Sequence, residues 1–197
     1  MDAEHHGEKV EQILQGAMQE FLTRGYAGTS MEKVAAAAGV SKPTVYSYFK
    51  DKEVLFQALI ENLGEKKFNS TFGNEPLVGD PKIVLRNLAE ATFKKFEDEE
   101  FTSFMRVLIG ESGRFPELAK VCTVNLFKPV HEVVIQYIAA HPELKISDPE
   151  AATLLFIGTL VHYHISQNIL HSKEVMPIER SRIVDNLMEM MLKSIDE

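Results

Sequence analysis

Apolar residues recur at helical spacing along almost the whole chain. Over residues 10–22 they fall at i, i+3 and i+4, which is typical of an amphipathic helix with one buried face. Similar stretches, punctuated by glycine and proline, predict further long helices at about 51–72, 82–96, 101–111, 116–140, 150–171 and 177–195. The chain is therefore predicted to be all-α, with about nine helices once the short ones described next are included.

Residues 25–56 predict two short helices joined by a tight turn and followed by a third helix. Gly25 ends the long N-terminal helix, because glycine tolerates the left-handed backbone that such ends need. Thr29 lies three residues before Glu32, and this capping box predicts that a new helix starts there with Thr29 as its N-cap. Small residues follow, so a neighbouring helix can cross closely, and Gly39 ends the run.

The second short helix, at about residues 42–49, has an unusual distribution of side chains. Ser41 is a good N-cap and Pro43 falls in the first turn, where a missing N–H costs nothing. At 100° per residue, Val45 and Phe49 share the inward face. The outward residues are Pro43, Thr44 and Ser47, with Tyr46 and Tyr48 on either side and Lys42 and Lys52 near the ends.

Such a polar and aromatic outward face suits the major groove of DNA, where tyrosine hydroxyls and lysines reach phosphates. The alternative is an ordinary helical hairpin with exposed aromatics, since helix pairs with a glycine-containing turn are common. The pattern favours a helix-turn-helix.

The residues of this run resemble the DNA-binding domain of TetR-type repressors. The matching positions are Gly25, Tyr26, Thr29, Ser30, Val34, Ala35, Ala38, Gly39, Val40, Ser41, Val45, Tyr46, Tyr48, Phe49, Lys52, Glu53 and Leu55. The resemblance covers about residues 8–63 and implies a three-helix DNA-binding domain at residues 1–55, followed by a helical ligand-binding and dimerisation domain at 56–197. Residues 106–127 resemble, more weakly, the AefR-like subgroup.

The resemblance also implies roles for individual side chains. The phosphate-contacting positions of the family match Ser30, Tyr46, Tyr48 and Lys52, and the base-reading positions match Lys42, Pro43, Thr44 and Ser47. Proline departs from the family pattern, because it offers a base edge only apolar contact. Direct readout is therefore expected to rest on Lys42, Thr44 and Ser47.

The charge distribution agrees with a DNA-binding segment on an acidic body. Residues 24–52 carry five positive side chains against two carboxylates, although the whole chain has a net charge of −8. Cys122 stands alone, so no disulfide framework exists, and it is expected to be a packed small hydrophobe. No apolar run reaches transmembrane length and no signal peptide is apparent, so a soluble, cytoplasmic protein with no membrane partner is expected.

The stretch at 150–171 is apolar nearly all round, whereas a helix that buries one stripe keeps a wide polar face. We expect it to pack on its own core and, with the last helix beside it, on a second copy of the chain. The alternative is a central helix of a monomer. The residues predicted for the dimer interface are Phe156, Leu160, Tyr163, Leu187 and Met191.

Phenylalanines concentrate in the middle helices, and apolar pockets with few polar groups are the usual sites for small molecules. Each of these residues, taken singly, is more often core than pocket. The candidate ligand-binding residues are Phe68, Phe93, Phe104, Leu108, Glu111, Phe127, His131, His162 and Gln167. The spacing of His162, His164 and His171 is poor for a tetrahedral site, so neither a metal nor a cofactor is expected.

The leading hypothesis is therefore a homodimeric transcriptional repressor that binds palindromic double-stranded operator DNA and is released by a small apolar or aromatic effector. No catalytic spacing of residues indicates an enzyme. The alternative is a helical small-molecule or lipid carrier without DNA binding, which leaves the outward tyrosines and the basic segment unexplained. An activator with the same fold also fits, and the operator, the regulated genes and the effector cannot be derived from the sequence.

Overall fold

The computed structural model describes the backbone of residues 2–72 and 77–193 and the side chains of residues 6–63 and 77–193. The helices are α1 (Asp2–Gly28), α2 (Met31–Ala37), α3 (Lys42–Tyr48), α4 (Lys52–Phe72), α5 (Pro81–Phe96), α6 (Glu99–Glu111), α7 (Pro116–Cys122), α8 (Lys128–Ala139), α9 (Pro149–His164) and α10 (Arg180–Leu192). A π-helical turn, Thr123–Phe127, joins α7 to α8 into one continuous helix. The described residues therefore form nine helices and no strand, which confirms the all-α prediction.

The N-terminal helix bundle is held by a close crossing of α1 and α2. Gly16 is buried on α1, and a Cβ added there would lie 2.7 Å from the Ala38 backbone nitrogen. Around this crossing the predicted apolar stripe is buried, including Ile13, Ala17 and Phe21, each with no exposed surface. The short side chains thus let the two backbones approach, as the sequence predicts.

The predicted cap of α2 is wrong by one residue. Ser30, not Thr29, is the N-cap, and its Oγ accepts a hydrogen bond from the Lys33 N–H at 3.4 Å. Thr29 is buried and its hydroxyl donates to the Gly25 carbonyl at 2.8 Å. Gly25 interrupts α1 with φ 67°, so the last turn of α1 bends and needs the threonine to satisfy the freed carbonyl. The predicted start of α3 at Ser41 is confirmed, and Asp148 is the N-cap of α9.

The chain forms two compact units, and each unit is built from two separate segments of the sequence. The first unit contains Met1–Lys66 and Ser103–Leu126, and the second contains Lys67–Thr102 and Phe127–Glu197. The segment Ser103–Leu126 therefore packs within the same unit as the short helices α2 and α3. Cys122 lies in this unit with no exposed surface, and burial raises the pKa of its thiol to about 12, as expected for a packed hydrophobe.

The second unit has a core formed by α5, α8, α9 and α10. Its largest buried side chains include Phe93, Tyr137, Phe156 and Leu160. Pro129 lies inside the helix predicted at 116–140, where a proline kinks or breaks a helix, and it falls just after the π-helical turn at Thr123–Phe127. The helix continues past Pro129 because a wider turn accommodates the missing N–H and the ring.

The α-helical parts of the last two helices are shorter than the predicted ranges 150–171 and 177–195. The last helix, α10, runs from Arg180 to Leu192. The helix starting at Pro149 is α-helical to His164, widens into a π-turn at Ile165–Ile169 and is followed by His171 with φ 56°. Within the described residues no helix is both long and apolar enough to cross a membrane.

Replacing Gly16 by alanine tests the close crossing of α1 and α2. The added methyl group would meet the Ala38 backbone, which cannot move as a side chain can, so the free energy of unfolding should fall by about 1–3 kcal/mol. Gly110 is the matched control, because it is exposed on α6 and its added Cβ meets nothing within 4 Å. Gly110→Ala should be neutral or stabilising by up to about 1 kcal/mol. Urea unfolding followed by circular dichroism measures both, and equal effects would contradict the crossing.

Candidate nucleic-acid interface

The helix α3 is short, and both of its ends are fixed by specific contacts. Ser41 is the N-cap and its Oγ accepts from the Thr44 N–H at 3.2 Å, while Pro43 occupies the first turn. Val45 has no exposed surface and Phe49, the C-cap, is 5% exposed. These two anchors leave the opposite side of α3 free of the core.

The outward side of α3 carries the residues that the sequence nominated for base contact. Lys42, Pro43 and Ser47 are exposed and Thr44 is half-buried. Tyr46 is 44% exposed, whereas Tyr48 is half-buried with its ring 4.8 Å from that of His6. The structure therefore brings the nominated residues of α3 together on one surface, which we call the recognition face.

Hydrogen bonds within the recognition face decide which atoms remain available. The hydroxyls of Ser41 and Thr44 bond to each other at 2.7 Å, and the Ser47 hydroxyl donates to the Thr44 carbonyl at 2.7 Å. Ser47 therefore presents its oxygen chiefly as an acceptor, which suits the amino groups of cytosine or adenine. Neither phenol, of Tyr46 nor of Tyr48, has a hydrogen-bond partner among the described residues, so both can donate to phosphate.

Lys42 is not a free cation, because its ammonium forms an ion pair with Glu32 on α2. The hydrogen bond from Lys42 lowers the pKa of the Glu32 carboxyl to about 2, and the same bond raises the pKa of Lys42. Both side chains are about half exposed, so the pair is screened by solvent and salt. The acidic partner must be displaced, or held near DNA at an electrostatic cost, before Lys42 reads a base.

The remaining cations of this segment differ in their availability. Arg24 pairs with Glu20 at 2.9 Å, and the Lys33 ammonium donates to the Gly28 carbonyl at 2.7 Å. The Lys52 ammonium is directed inward, toward the backbone carbonyls of Tyr26 and Thr29. Lys50 is exposed and has no ion-pair partner among the described residues.

Lys50 is thus a cation that the sequence reasoning did not nominate. It follows directly after Phe49, the buried C-cap of α3, and this position is the signal that identifies it. A residue next to a buried anchor points away from the core. Ser30, which the sequence also nominates for phosphate contact, is half-buried at the start of α2.

The candidate ligand-binding residues with described side chains are divided between the two units. Phe104, Leu108 and Glu111 belong to the first unit, where Phe104 packs on Phe56 with ring centroids 6.3 Å apart. In the second unit, His131 bonds to the Phe127 carbonyl at 2.9 Å, and both residues are half-buried. The side chain of Phe68 lies outside the described residues.

Two cavities of the second unit contain the other candidates. One, of about 440 Å³, is lined by Phe93, Phe96 and Tyr163 with the charged groups of Lys173 and Arg180. The other, of about 660 Å³, is mainly apolar. Its lining includes Leu154, Leu155, Gly158, His162 and Gln167. The carboxamide of Gln167 is buried there, with its Oε1 unbonded among the described residues.

The residues nominated for a dimer interface lie mostly inside the second unit. Phe156, Leu160, Leu187 and Met191 are all buried in its core, and only Tyr163 reaches a cavity. The exposed apolar residues on the other side of α9 are Leu154 and Leu155, which are 64% and 66% exposed. The sequence could not separate these two sides, because α9 is apolar on both.

Comparisons with known families identify both parts of the chain. Residues 13–59 match the model of the bacterial regulatory proteins of the tetR family. Residues 83–194, more than half of the chain, match the C-terminal domain of AefR-like transcriptional repressors.

Individual relatives and solved structures agree with these matches. The HTH-type transcriptional regulator YuxN of Bacillus subtilis is 25% identical over 96% of this chain and 65% of its own length. A TetR-family regulator structure from Mesorhizobium loti MAFF303099 is 26% identical, with a TM-score of 0.77 over 95% of this chain and 96% of that one. The flavonoid-responsive regulator FrrA is also 26% identical, with a TM-score of 0.73 over 95% and 97%. The chain spans about a third to two thirds of the length of the first curated relatives it matches.

Removing the acidic partner of Lys42 should strengthen DNA binding. Glu32→Gln keeps the shape of the side chain but frees the Lys42 ammonium, so affinity for a mixed-sequence duplex should rise several-fold. The slope of log K against log salt should steepen by up to about 0.9, the value for one extra phosphate contact. Because the pKa of Glu32 is lowered to about 2, the pair is ionised at every pH used for such an assay.

The control is Glu61→Gln, which removes an exposed carboxylate from α4 that accepts a hydrogen bond from Gln57 and pairs with no cation of α3. Fluorescence anisotropy across a salt series measures both variants. An unchanged slope for Glu32→Gln, or the same gain from Glu61→Gln, would contradict the assignment of Lys42 to the recognition face.

Proposed function

The chain belongs to the TetR family of transcriptional regulators, and we propose that it acts as a homodimeric repressor that is released from a palindromic operator by a small aromatic or apolar effector. The helix-turn-helix and the regulatory function are properties of the family, and its relatives are regulators, not enzymes. The cytoplasm, where operator DNA is accessible, is the proposed site of action.

The recognition face of α3 carries the proposal for DNA contact. Its two phenols have no internal hydrogen-bond partner among the described residues, and its base-facing side is polar and unobstructed. We assign phosphate contacts to Ser30, Tyr46, Tyr48 and Lys52, and add Lys50 to this set. To reach a phosphate, the Lys52 ammonium would leave the carbonyls of Tyr26 and Thr29. The base-reading residues are Lys42, Pro43, Thr44 and Ser47.

Direct base readout by this face is limited, since Pro43 cannot hydrogen-bond and Lys42 must first leave Glu32. Thr44 and Ser47 already use part of their hydrogen-bonding capacity within α3. Sequence preference should therefore depend partly on the shape and deformability of the operator, not only on base edges.

The exposed side of α9 supports the proposal of a homodimer. Leu154, Gly158 and His162 succeed one another at intervals of four residues, and Leu155 and Thr159 lie beside them. No atom lies within 4 Å of a Cβ added at Gly158, so a second helix can approach the backbone there. A two-fold symmetric dimer suits a palindromic operator, whose two half-sites lie about 34–36 Å apart in successive major grooves.

The smaller cavity of the second unit supports the proposal of an aromatic effector. Phe93 and Tyr163 contact each other edge to face at 5.0 Å, and Arg180 lies 5.9 Å from the Phe93 ring centroid. The lining also contains the carboxylates Glu97 and Glu179, and aromatic walls with charged groups of both signs suit a planar, partly polar molecule. The flavonoid responsiveness of FrrA agrees with an effector of this class. The effector can change DNA affinity only by the difference between its affinities for the DNA-binding and the released arrangement of the protein. Such coupling free energies are typically about 1–3 kcal/mol.

Footprinting of the DNA upstream of the chain's own gene tests the proposed function. We expect protection of two half-sites whose centres are one helical turn apart, with the purified chain as a dimer. Adding a flavonoid mixture should weaken the footprint. Absence of any protected sequence upstream, together with tight binding of a small apolar probe, would instead favour the carrier function.

The proposed dimer surface is tested by placing a charge on it. In Leu155→Glu each subunit would bury a carboxylate at the interface, so sedimentation should show a monomer and operator affinity should fall at least about tenfold. Ile83→Glu is the control, because Ile83 is 61% exposed on α5 and lies outside the α9 stripe. A Leu155→Glu protein that sediments as a dimer would contradict this interface.

A further inference from the structure

The helix α1 extends well beyond its crossing with α2, and the extension carries a histidine. His6 continues the buried stripe of α1, because Val10, Ile13 and Ala17 follow it at helical spacing. The crossing lies at Gly16, which is about 15 Å further along the helix axis. His6 is therefore on the side of α1 that faces the core, but it lies past the end of the core and is exposed.

The ring of His6 contacts the ring of Tyr48, the last residue of α3. The two ring centroids are 4.8 Å apart and the ring planes are inclined by 37°. The phenol of Tyr48 has no hydrogen-bond partner among the described residues. The contact therefore brings an imidazole from the start of the chain to a phenol at the edge of the recognition face.

An imidazole and a phenol can both donate hydrogen bonds to a phosphate, but they differ in charge. The phenol donates one hydrogen bond and is neutral, whereas a protonated imidazole donates from both nitrogens and is positive. Histidine is the side chain whose charge ordinarily changes between about pH 5 and 8. Charge-assisted hydrogen bonds to phosphate are the stronger kind. A phosphate that accepts from Tyr48 would thus find a second, pH-dependent donor beside it.

The surroundings of His6 leave its imidazole available. In the described part of the chain His6 forms neither an ion pair nor a hydrogen bond. The Lys9 ammonium, one turn along α1, donates to the Gln12 side chain at 2.8 Å. The other charged or titratable side chains described on neighbouring turns of α1 and on or beside α3 are Glu8, Lys42, Tyr46 and Lys50. Lys42 is held by Glu32 of α2.

We propose that His6 is a further DNA-contacting residue, which binds the backbone phosphate at Tyr48 and adds a positive charge there when it is protonated. The inference rests on the proposed contact of α3 with DNA. Because the protein then takes up a proton as it binds, its DNA affinity rises as the pH falls. A phosphate contact carries no base information, so the effect is the same for every duplex sequence.

His6→Phe removes the charge and keeps a ring against Tyr48. Affinity for the mixed-sequence duplex is measured by anisotropy in a KCl series at about pH 8 and about pH 6. Toward the lower pH the wild-type affinity should rise at least about threefold, and the slope of log K against log salt should steepen by up to about 0.9. His6→Phe should stay within about twofold of the wild type at the higher pH and lose most of the rise.

His6→Lys keeps a positive charge at both pH values and gives the opposite test. At about pH 8 it should bind at least as tightly as the wild type does at about pH 6, with the steeper slope and little pH dependence. Gln19→Lys is the matched control, because it adds the same charge at an exposed position of α1, about 20 Å along the helix from residue 6. Screening by salt acts over about 8–10 Å, so this control should keep the wild-type slope and pH dependence.

A wild-type affinity that does not rise toward the lower pH would overturn the proposal. The same pH dependence and slope in His6→Phe as in the wild type would also overturn it, since the charge would then come from another group. Weaker binding by His6→Lys at both pH values would mean that His6 only packs on Tyr48. Failure of the proposed function is distinguishable, because the wild-type chain would then bind the duplex at neither pH.

Discussion

A helix of seven residues has too few internal hydrogen bonds to be stable in water, so α3 depends on what holds it from behind. That support comes from the burial of Val45 and Phe49 and from contact with α2, which itself crosses α1 closely at Gly16. Because the anchors are apolar and none of the outward residues is fully buried, the recognition face can vary in sequence more freely than the anchors without loss of the fold.

Electrostatics divides the positive residues of this segment into different tasks. Lys42 is paired with Glu32, Lys52 is bound to backbone carbonyls, and Lys50 is exposed. Formal charge in a sequence therefore overstates the charge available to DNA. The affinity of this domain should depend on how readily Lys42 exchanges its carboxylate for a base or phosphate, which makes Glu32 a modulator of binding from outside α3.

The elements that sequence predicted best are those whose signals are local. Ser41 marks the start of α3 by accepting a hydrogen bond from an N–H three residues further on, and Pro43 lies in the first turn, as the sequence predicts. Thr29 is not the cap of α2, because Gly25 takes a positive φ and its carbonyl accepts a hydrogen bond from the Thr29 hydroxyl instead. The family and all-α fold were likewise accessible, since the signature positions are close in sequence.

The side chains whose placement differs from the sequence-based prediction are those that depend on contacts between segments distant in the chain. The inward turn of Lys52 and the approach of Glu111 to Gly25 join residues far apart in the chain. The two sides of α9 are equally apolar, so Phe156 and Leu160 could not be distinguished from Leu154 and Leu155 before packing was known.

Hydrogen exchange on the chain with and without a duplex tests the central claim that α3 meets DNA by its outward side. We expect amides of residues 41–50 to exchange more slowly in the complex, while those of α5 keep their rates. A complex that forms with no protection of residues 41–50, or with protection confined to the second unit, would contradict it.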